Sequence, residues 1–109
     1  MQKRKLGPLQ ARGWRAGSTA EFLRLTPEEA ALVELRLALS ESVRTTRKQK
    51  KISQLRLAKL LGSSQSRVAK IEAGDASVSL DLMVRSLLAL GASKRDLARI
   101  IASGHRAAA

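Results

Sequence analysis

The chain has 109 residues, with 21 Lys and Arg against nine Asp and Glu, and a formal net charge of +12. This length suffices for one domain, and the positive field attracts polyanions, so nucleic acid is the expected partner. The chain has no cysteine and one histidine, which excludes disulfides and argues against a zinc site. Because the sequence has no phosphate loop, nucleophile and base pair or carboxylate cluster, we expect neither an enzyme nor a need for a cofactor or a metal.

Membrane insertion and secretion are not expected either. No segment reaches the run of about 18 apolar residues that a spanning helix needs. The basic residues within positions 1–5 are followed by Gly, Pro and polar residues rather than by the apolar stretch of a secretory signal. We therefore expect a cytoplasmic protein.

Residues 1–25 form a basic, glycine-containing segment that is too polar to bury a core, which predicts a flexible N-terminal arm. The only aromatic side chains of the chain, Trp14 and Phe22, lie in this arm. Aromatic residues outside a core are common at recognition surfaces, so both are candidate contacts to a partner protein. The alternative, that they fold back as a lid on the helices, is open at this point.

The first predicted helix begins at Pro27 and extends to about Lys50. Thr26 is its N-cap, Pro27 occupies the first helical position, and Glu29 completes a capping box. Apolar residues recur at helical spacing along it, and its last turns are rich in Lys and Arg, which suits the negative end of the helix dipole. Part of the apolar stripe fills the domain's own core or contacts a second copy: Ala31, Leu32, Leu35 and Leu39.

Two short capped helices follow, with a tight glycine turn between them. The first is predicted over Gln54–Leu61 after the cap Ser53, and the second over Gln65–Ala73 after the cap Ser64. Each is followed by a glycine, which suits the left-handed backbone after a helix. The apolar positions of the second helix recur at helical spacing and leave one polar face exposed, which is the pattern of a helix-turn-helix.

Two further helices complete the prediction. One begins after Ser79 and ends near Gly91, and a capping box of Ser93 with Asp96 begins the last. The sequence therefore predicts an all-α domain of five helices over residues 26–102, with a disordered tail over residues 103–109. Apolar residues of the last two helices either belong to the core or form a homodimer interface: Leu88, Leu97, Ile100 and Ile101.

The residues between positions 53 and 74 resemble those of the Cro and lambda-repressor-like, or XRE-type, DNA-binding domains. The shared features are Ser53 and Gln54, Leu57 and Ala58, Leu61 and Gly62, Ser64, Val68, and the ending Ile71, Glu72 and Gly74. The likeness extends over residues 39–90, roughly half of the chain. It implies a five-helix domain that binds double-stranded DNA as a homodimer and regulates transcription.

The resemblance also implies three kinds of site residue. Base readers are expected on the second short helix, where the alternative for each is a solvated side chain: Gln65, Ser66, Arg67 and Lys70. Phosphate contacts are expected near the start of the first short helix, with the Gln54 side chain directed outward: Ser53, Gln54, Arg44, Lys51, Arg56 and Lys59. Arg47 and Glu72 correspond to a structural ion pair that orients the reading helix.

Within the family, residues 72–79 resemble those of HigA-like antitoxins, which repress their own operon and neutralise a toxin. A RelE-like toxin would then contact Phe22 and the N-terminal arm. One alternative is a stand-alone XRE-type repressor, and another, from the charge alone, is a basic protein that binds nucleic acid without sequence specificity. Ala73 and Asp75 depart from the family pattern, which predicts weak phosphate contacts from the loop after the reading helix.

Overall fold

The structure is a computed structural model that describes residues 25–103. Within this range the chain forms five α-helices and no strand: α1 (Pro27–Gln49), α2 (Gln54–Leu61), α3 (Gln65–Ala73), α4 (Leu80–Ala89) and α5 (Lys94–Ser103). The predicted all-α, five-helix class is confirmed. The predicted roles of Trp14 and Phe22 and the predicted tail at residues 104–109 lie outside the described residues, and the predicted domain bounds stay predictions.

The chain divides into two compact units, Met1–Glu34 and Leu35–Ala109. In the first unit, the described residues contain the capping box at the start of α1. The Thr26 hydroxyl accepts a hydrogen bond from the Glu29 N–H at 3.0 Å, and the Glu29 carboxylate accepts one from the Thr26 N–H at 2.8 Å. This reciprocal arrangement satisfies two backbone donors at the helix start, as the sequence predicts.

In the second unit, each helix begins after a serine whose hydroxyl accepts a hydrogen bond from the backbone N–H three residues later: Ser53, Ser64, Ser79 and Ser93. These bonds replace partners that the first turn of a helix lacks. At their other ends, α2 and α3 are followed by Gly62 and Gly74, with φ of 66° and 71°. Side chains disfavour this left-handed backbone, so glycine sets the length of both short helices.

The core of the second unit is apolar and is built from four helices. Its fully buried side chains include Leu39 and Val43 of α1, Leu57 of α2, Val68 and Ile71 of α3, and Met83 and Leu87 of α4. The helix α2 packs against both α3 and α4. The orientation of α3 therefore depends on a shared core rather than on the turn alone.

Two groups of apolar residues differ in how they meet this core. Leu39 is 1% exposed, so the expectation that it is available to a second copy is wrong. Leu97 and Ile100 of α5 are partly buried against the core, whereas Leu88 and Ile101 are 46% and 49% exposed. No helix among residues 25–103 is long and apolar enough to cross a membrane.

Candidate nucleic-acid interface

The helix α3 has one buried side and one exposed polar side. Val68 and Ile71 are 0% exposed and anchor it in the core. The side chains around the rest of the helix are exposed, and they include all four predicted base readers: Gln65, Ser66, Arg67 and Lys70. The arrangement leaves amide, hydroxyl, guanidinium and ammonium groups facing solvent together.

The turn between α2 and α3 keeps the two helices close. The Ser63 N–H donates to the Ala58 carbonyl at 2.8 Å, and Gly62 supplies the left-handed backbone that this bond needs. Ala58 is 1% exposed, so its small side chain is part of the packed contact. The start of α3 is thus fixed relative to α2.

The end of α3 lies close to α1 at Gly74. A Cβ at this position would stand 3.3 Å from the Ser40 Oγ and 3.6 Å from the Leu37 Cδ2. Ser40 is itself buried, and its hydroxyl donates to the Leu37 carbonyl at 3.1 Å. The close approach of backbone to α1 is therefore a second reason, besides the positive φ, for glycine at this site.

Arg47 of α1 and Glu72 of α3 form an ion pair. The guanidinium donates from Nε to one carboxylate oxygen at 2.5 Å and from Nη2 to the other at 3.0 Å, and its Nη1 donates to the Ile52 carbonyl at 2.8 Å. Burial acts to raise the pKa of the Glu72 carboxyl, but hydrogen bonds from Arg47 and Gln54 and the charges of Arg47 and Arg44 hold the pKa below its ordinary value. Glu72 is therefore a carboxylate at neutral pH.

Gln54 differs from the expectation that its side chain points outward. It is half-buried, its Nε2 donates to the Glu72 Oε1 at 3.1 Å, and its Oε1 accepts a bond from the Gln65 Nε2 at 3.5 Å. The carboxylate of Glu72 draws the amide inward because it is a strong acceptor beside the start of α2. A phosphate contact from Gln54 stays a prediction, with the start of α2 as its location.

The other predicted phosphate residues have exposed side chains at the end of α1 and along α2: Arg44, Lys51, Ser53, Arg56 and Lys59. In the described part of the chain the two ion pairs are Arg47 with Glu72 and Arg99 with Asp96, so the four cations of this set are not neutralised by a carboxylate. The Ser53 hydroxyl already accepts the Arg56 N–H at 3.0 Å. Its role in the fold is therefore capping.

Arg36 is a residue of this region that sequence reasoning missed. Its guanidinium donates to the Val78 carbonyl through both terminal nitrogens and to the Ala76 carbonyl at 3.0 Å. These bonds tie α1 to the loop that follows α3. The signal in the sequence is a cation three residues before Leu39, on the apolar stripe of the helix, where a charge needs a partner.

Asp75 lies directly after α3, where the sequence departs from the family pattern. Its carboxylate is exposed and accepts a hydrogen bond from the Ser77 N–H at 2.8 Å. Hydrogen bonds from Ser77, with smaller contributions from the charges of Lys70 and Arg36, lower the pKa of Asp75. A negative charge therefore stands beside the cationic end of α3.

Residues 43–97 match the sequence model of the helix-turn-helix family, and the match includes α2, α3 and α4 in full. It covers just over half of the chain, which shows that the protein belongs to this family, in its XRE-type branch. It is accordingly a DNA-binding transcription regulator of the XRE type. No curated protein and no solved structure matches the chain.

Proposed function

We propose that the protein is a sequence-specific regulator that binds duplex DNA with α3 in the major groove. One observation carries the proposal: Gln65, Ser66 and Lys70 are exposed on a helix whose opposite side is anchored by fully buried side chains. The major groove of B-DNA admits one helix and displays a different pattern of donors and acceptors for each base pair. A rigidly held polar face can therefore distinguish base pairs.

The four proposed base readers suit different edges. The amide of Gln65 has a donor and an acceptor, which match N7 and N6 of adenine. The ammonium of Lys70 suits the two acceptors of guanine, while the Ser66 hydroxyl accepts or donates to several bases. Arg67 reaches either a base or a phosphate.

Phosphate contacts would hold the helix in register. We assign them to the start of α2, where backbone N–H groups and the helix dipole favour an anion, and to the exposed cations around it. Each cation that contacts a phosphate steepens the fall of affinity with salt. Replacing Arg56 or Lys59 with Ala should therefore reduce the slope of log K against log salt by about one, whereas Arg95→Ala on α5 serves as the matched charge control and should leave it unchanged.

Two copies would provide the contacts that one domain lacks. Half-sites on DNA lie about 34 Å apart, and a symmetric dimer reads both. Leu88 and Ile101, at 46% and 49% exposed, are the apolar residues of α4 and α5 that we assign to the interface. Sedimentation of wild type and of Ile101→Glu tests this, because a dimer through this face should dissociate in the variant.

The proposed specificity can be tested with a selection from a library of random duplexes. The selected duplex should bind at least ~10³-fold more tightly than a scrambled duplex at the same salt. Replacing Gln65 and Lys70 together with Ala should abolish this ratio. The matched control replaces Gln49 and Lys50 with Ala, which removes the same chemical groups from the exposed end of α1 and should preserve the ratio.

A second candidate is a basic protein that binds nucleic acid without sequence specificity, and the net charge of +12 favours it. Phosphate contacts alone supply such binding. It predicts nearly equal affinities for the selected and the scrambled duplex, and that result would replace the first proposal.

The narrower hypothesis of a HigA-like antitoxin adds a RelE-like toxin as partner. It draws on the resemblance over residues 72–79 and on an N-terminal arm outside the described residues, and no comparison supports it. Co-expression of the adjacent reading frame tests it: growth arrest by that product, relieved by this chain and by no Phe22→Ala variant, is the expected result. A stand-alone repressor predicts no arrest.

A further inference from the structure

Four side chains form a continuous hydrogen-bonded path from α1 to the exposed face of α3. Arg47 binds both oxygens of Glu72, Glu72 accepts from the Gln54 Nε2 at 3.1 Å, and the Gln54 Oε1 accepts from the Gln65 Nε2 at 3.5 Å. The first two members are nearly buried, with side chains 12% and 5% exposed, while Gln65 is exposed. We refer to these four residues as the amide relay.

The chemistry of the relay fixes the direction of each amide. A carboxylate has no proton to donate, so the group of Gln54 that faces Glu72 is its NH2. The carbonyl oxygen of Gln54 then faces Gln65 and accepts only from the NH2 of that residue. With one N–H of Gln65 directed at Gln54, its other N–H and its Oε1 are directed to solvent.

This arrangement sets what Gln65 offers to a base. One donor beside one acceptor matches adenine, which has an acceptor at N7 and a donor at N6, and not guanine, which has acceptors at N7 and O6. A Gln65 amide turned the other way would bring its oxygen against the Gln54 oxygen. The relay therefore disfavours the reversed amide before any DNA is bound.

We propose that Glu72 is a specificity-determining positioning residue, which contacts no DNA but sets the donor and acceptor polarity of Gln65 through Gln54. This inference rests on the proposed function, since it assumes that Gln65 reads a base. Its role differs from that of a structural ion pair, because it acts on the preference at one base position rather than on overall affinity.

The substitution Glu72→Gln separates these two roles. A glutamine at position 72 can donate as well as accept, so Gln54 can reverse and offer its NH2 to Gln65. Gln65 then presents either polarity. The adenine preference at its position, which a bidentate amide contact maintains at about tenfold or more, should fall several-fold, with guanine gaining most.

The experiment is a selection from a random duplex library with the full-length wild type, Gln65→Ala, Glu72→Gln, Gln54→Met and Glu41→Gln. The position whose preference is lost in Gln65→Ala identifies the base pair that Gln65 reads. Glu41→Gln, at an exposed position of α1, makes the same change of charge outside the relay and should retain the adenine preference. Gln54→Met breaks the relay while leaving Arg47 and Glu72 paired, so it decides the matter if Glu72→Gln lacks a cooperative thermal transition.

The outcomes separate the inference from the function on which it rests. Loss of the adenine preference in Glu72→Gln and in Gln54→Met, with its retention in Glu41→Gln, supports the relay. An unchanged preference in a folded Glu72→Gln or in Gln54→Met overturns the relay but leaves DNA reading by Gln65 in place. A selected sequence that is the same for Gln65→Ala and wild type overturns base reading by Gln65 itself.

Discussion

Arg47 and Glu72 join α1 to the end of α3 through two hydrogen bonds between one guanidinium and one carboxylate. Their side chains are only 12% and 5% exposed, so each charge depends on the other for solvation. Desolvation offsets much of the attraction in such a pair, whereas removal of one partner strands the other. The pair therefore constrains the orientation of α3 more than it adds to stability.

This asymmetry gives the first prediction. Arg47→Met should lower the free energy of unfolding by about 3 kcal/mol, because Glu72 is left as an unpaired buried charge. The double variant Arg47→Met with Glu72→Leu should lose less than the single variant, since both charges are gone. Urea unfolding of the three proteins measures the difference, and equal losses in the single and double variants would contradict it.

Acid should weaken the fold through the same pair. The pKa of Glu72 lies below its ordinary value in the folded chain, so the unfolded chain binds more protons as the pH approaches about 4. The stability contributed by Glu72 is present above the unfolded pKa and is lost as pH falls through the folded pKa. The thermal midpoint of wild type should therefore fall more between pH 7 and pH 3 than that of the double variant.

Comparison with the double variant isolates Glu72 from the other carboxyls. The pKa values of Asp75 and Asp96 are also lowered by their hydrogen bonds, but both residues are present in each protein. A parallel decline of the two thermal midpoints would show that Glu72 does not carry the difference.

The two glycines that end α2 and α3 provide a matched pair. Both have a left-handed backbone, so alanine at either position should cost about 1 kcal/mol. At Gly62 a Cβ meets nothing within 4 Å, while at Gly74 it stands 3.3 Å from the Ser40 Oγ. Gly74→Ala should therefore be the more destabilising change in urea unfolding, and Ser40→Ala should reduce the difference. Equal effects at the two glycines would rule out the packing contribution.

Local signals explain how much of the fold could be predicted. The serine caps at Ser53 and Ser64 and the glycines after α2 and α3 are short-range features, and the predicted bounds of both helices agree with the structure. Apolar residues at helical spacing likewise identify the buried side of α3, because the same periodicity determines which side chains share a face. Sequence periodicity was less informative for α5, whose apolar residues are only partly buried.

Side-chain contacts between distant positions could not be read from local patterns. Gln54 turns inward because Glu72, 18 positions later, is within reach of its amide. Arg36 meets the Val78 carbonyl 42 positions later, a contact that helical spacing does not reveal. The candidate reading face was predictable because it is the complement of a local apolar stripe, whereas the orientation of its amides depends on the tertiary fold.

Lys51 tests stability and DNA binding separately. It is the residue other than glycine with a positive φ, 57°, within residues 25–103. Lys51→Gly should raise the free energy of unfolding by up to about 1 kcal/mol, because glycine adopts this backbone without steric strain. If Lys51 contacts a phosphate, the same change lowers the salt slope of DNA binding by about one. Lys50→Gly, which removes the same charge at a residue without positive φ, should instead destabilise the fold; a gain in stability in both variants would exclude backbone strain as the cause.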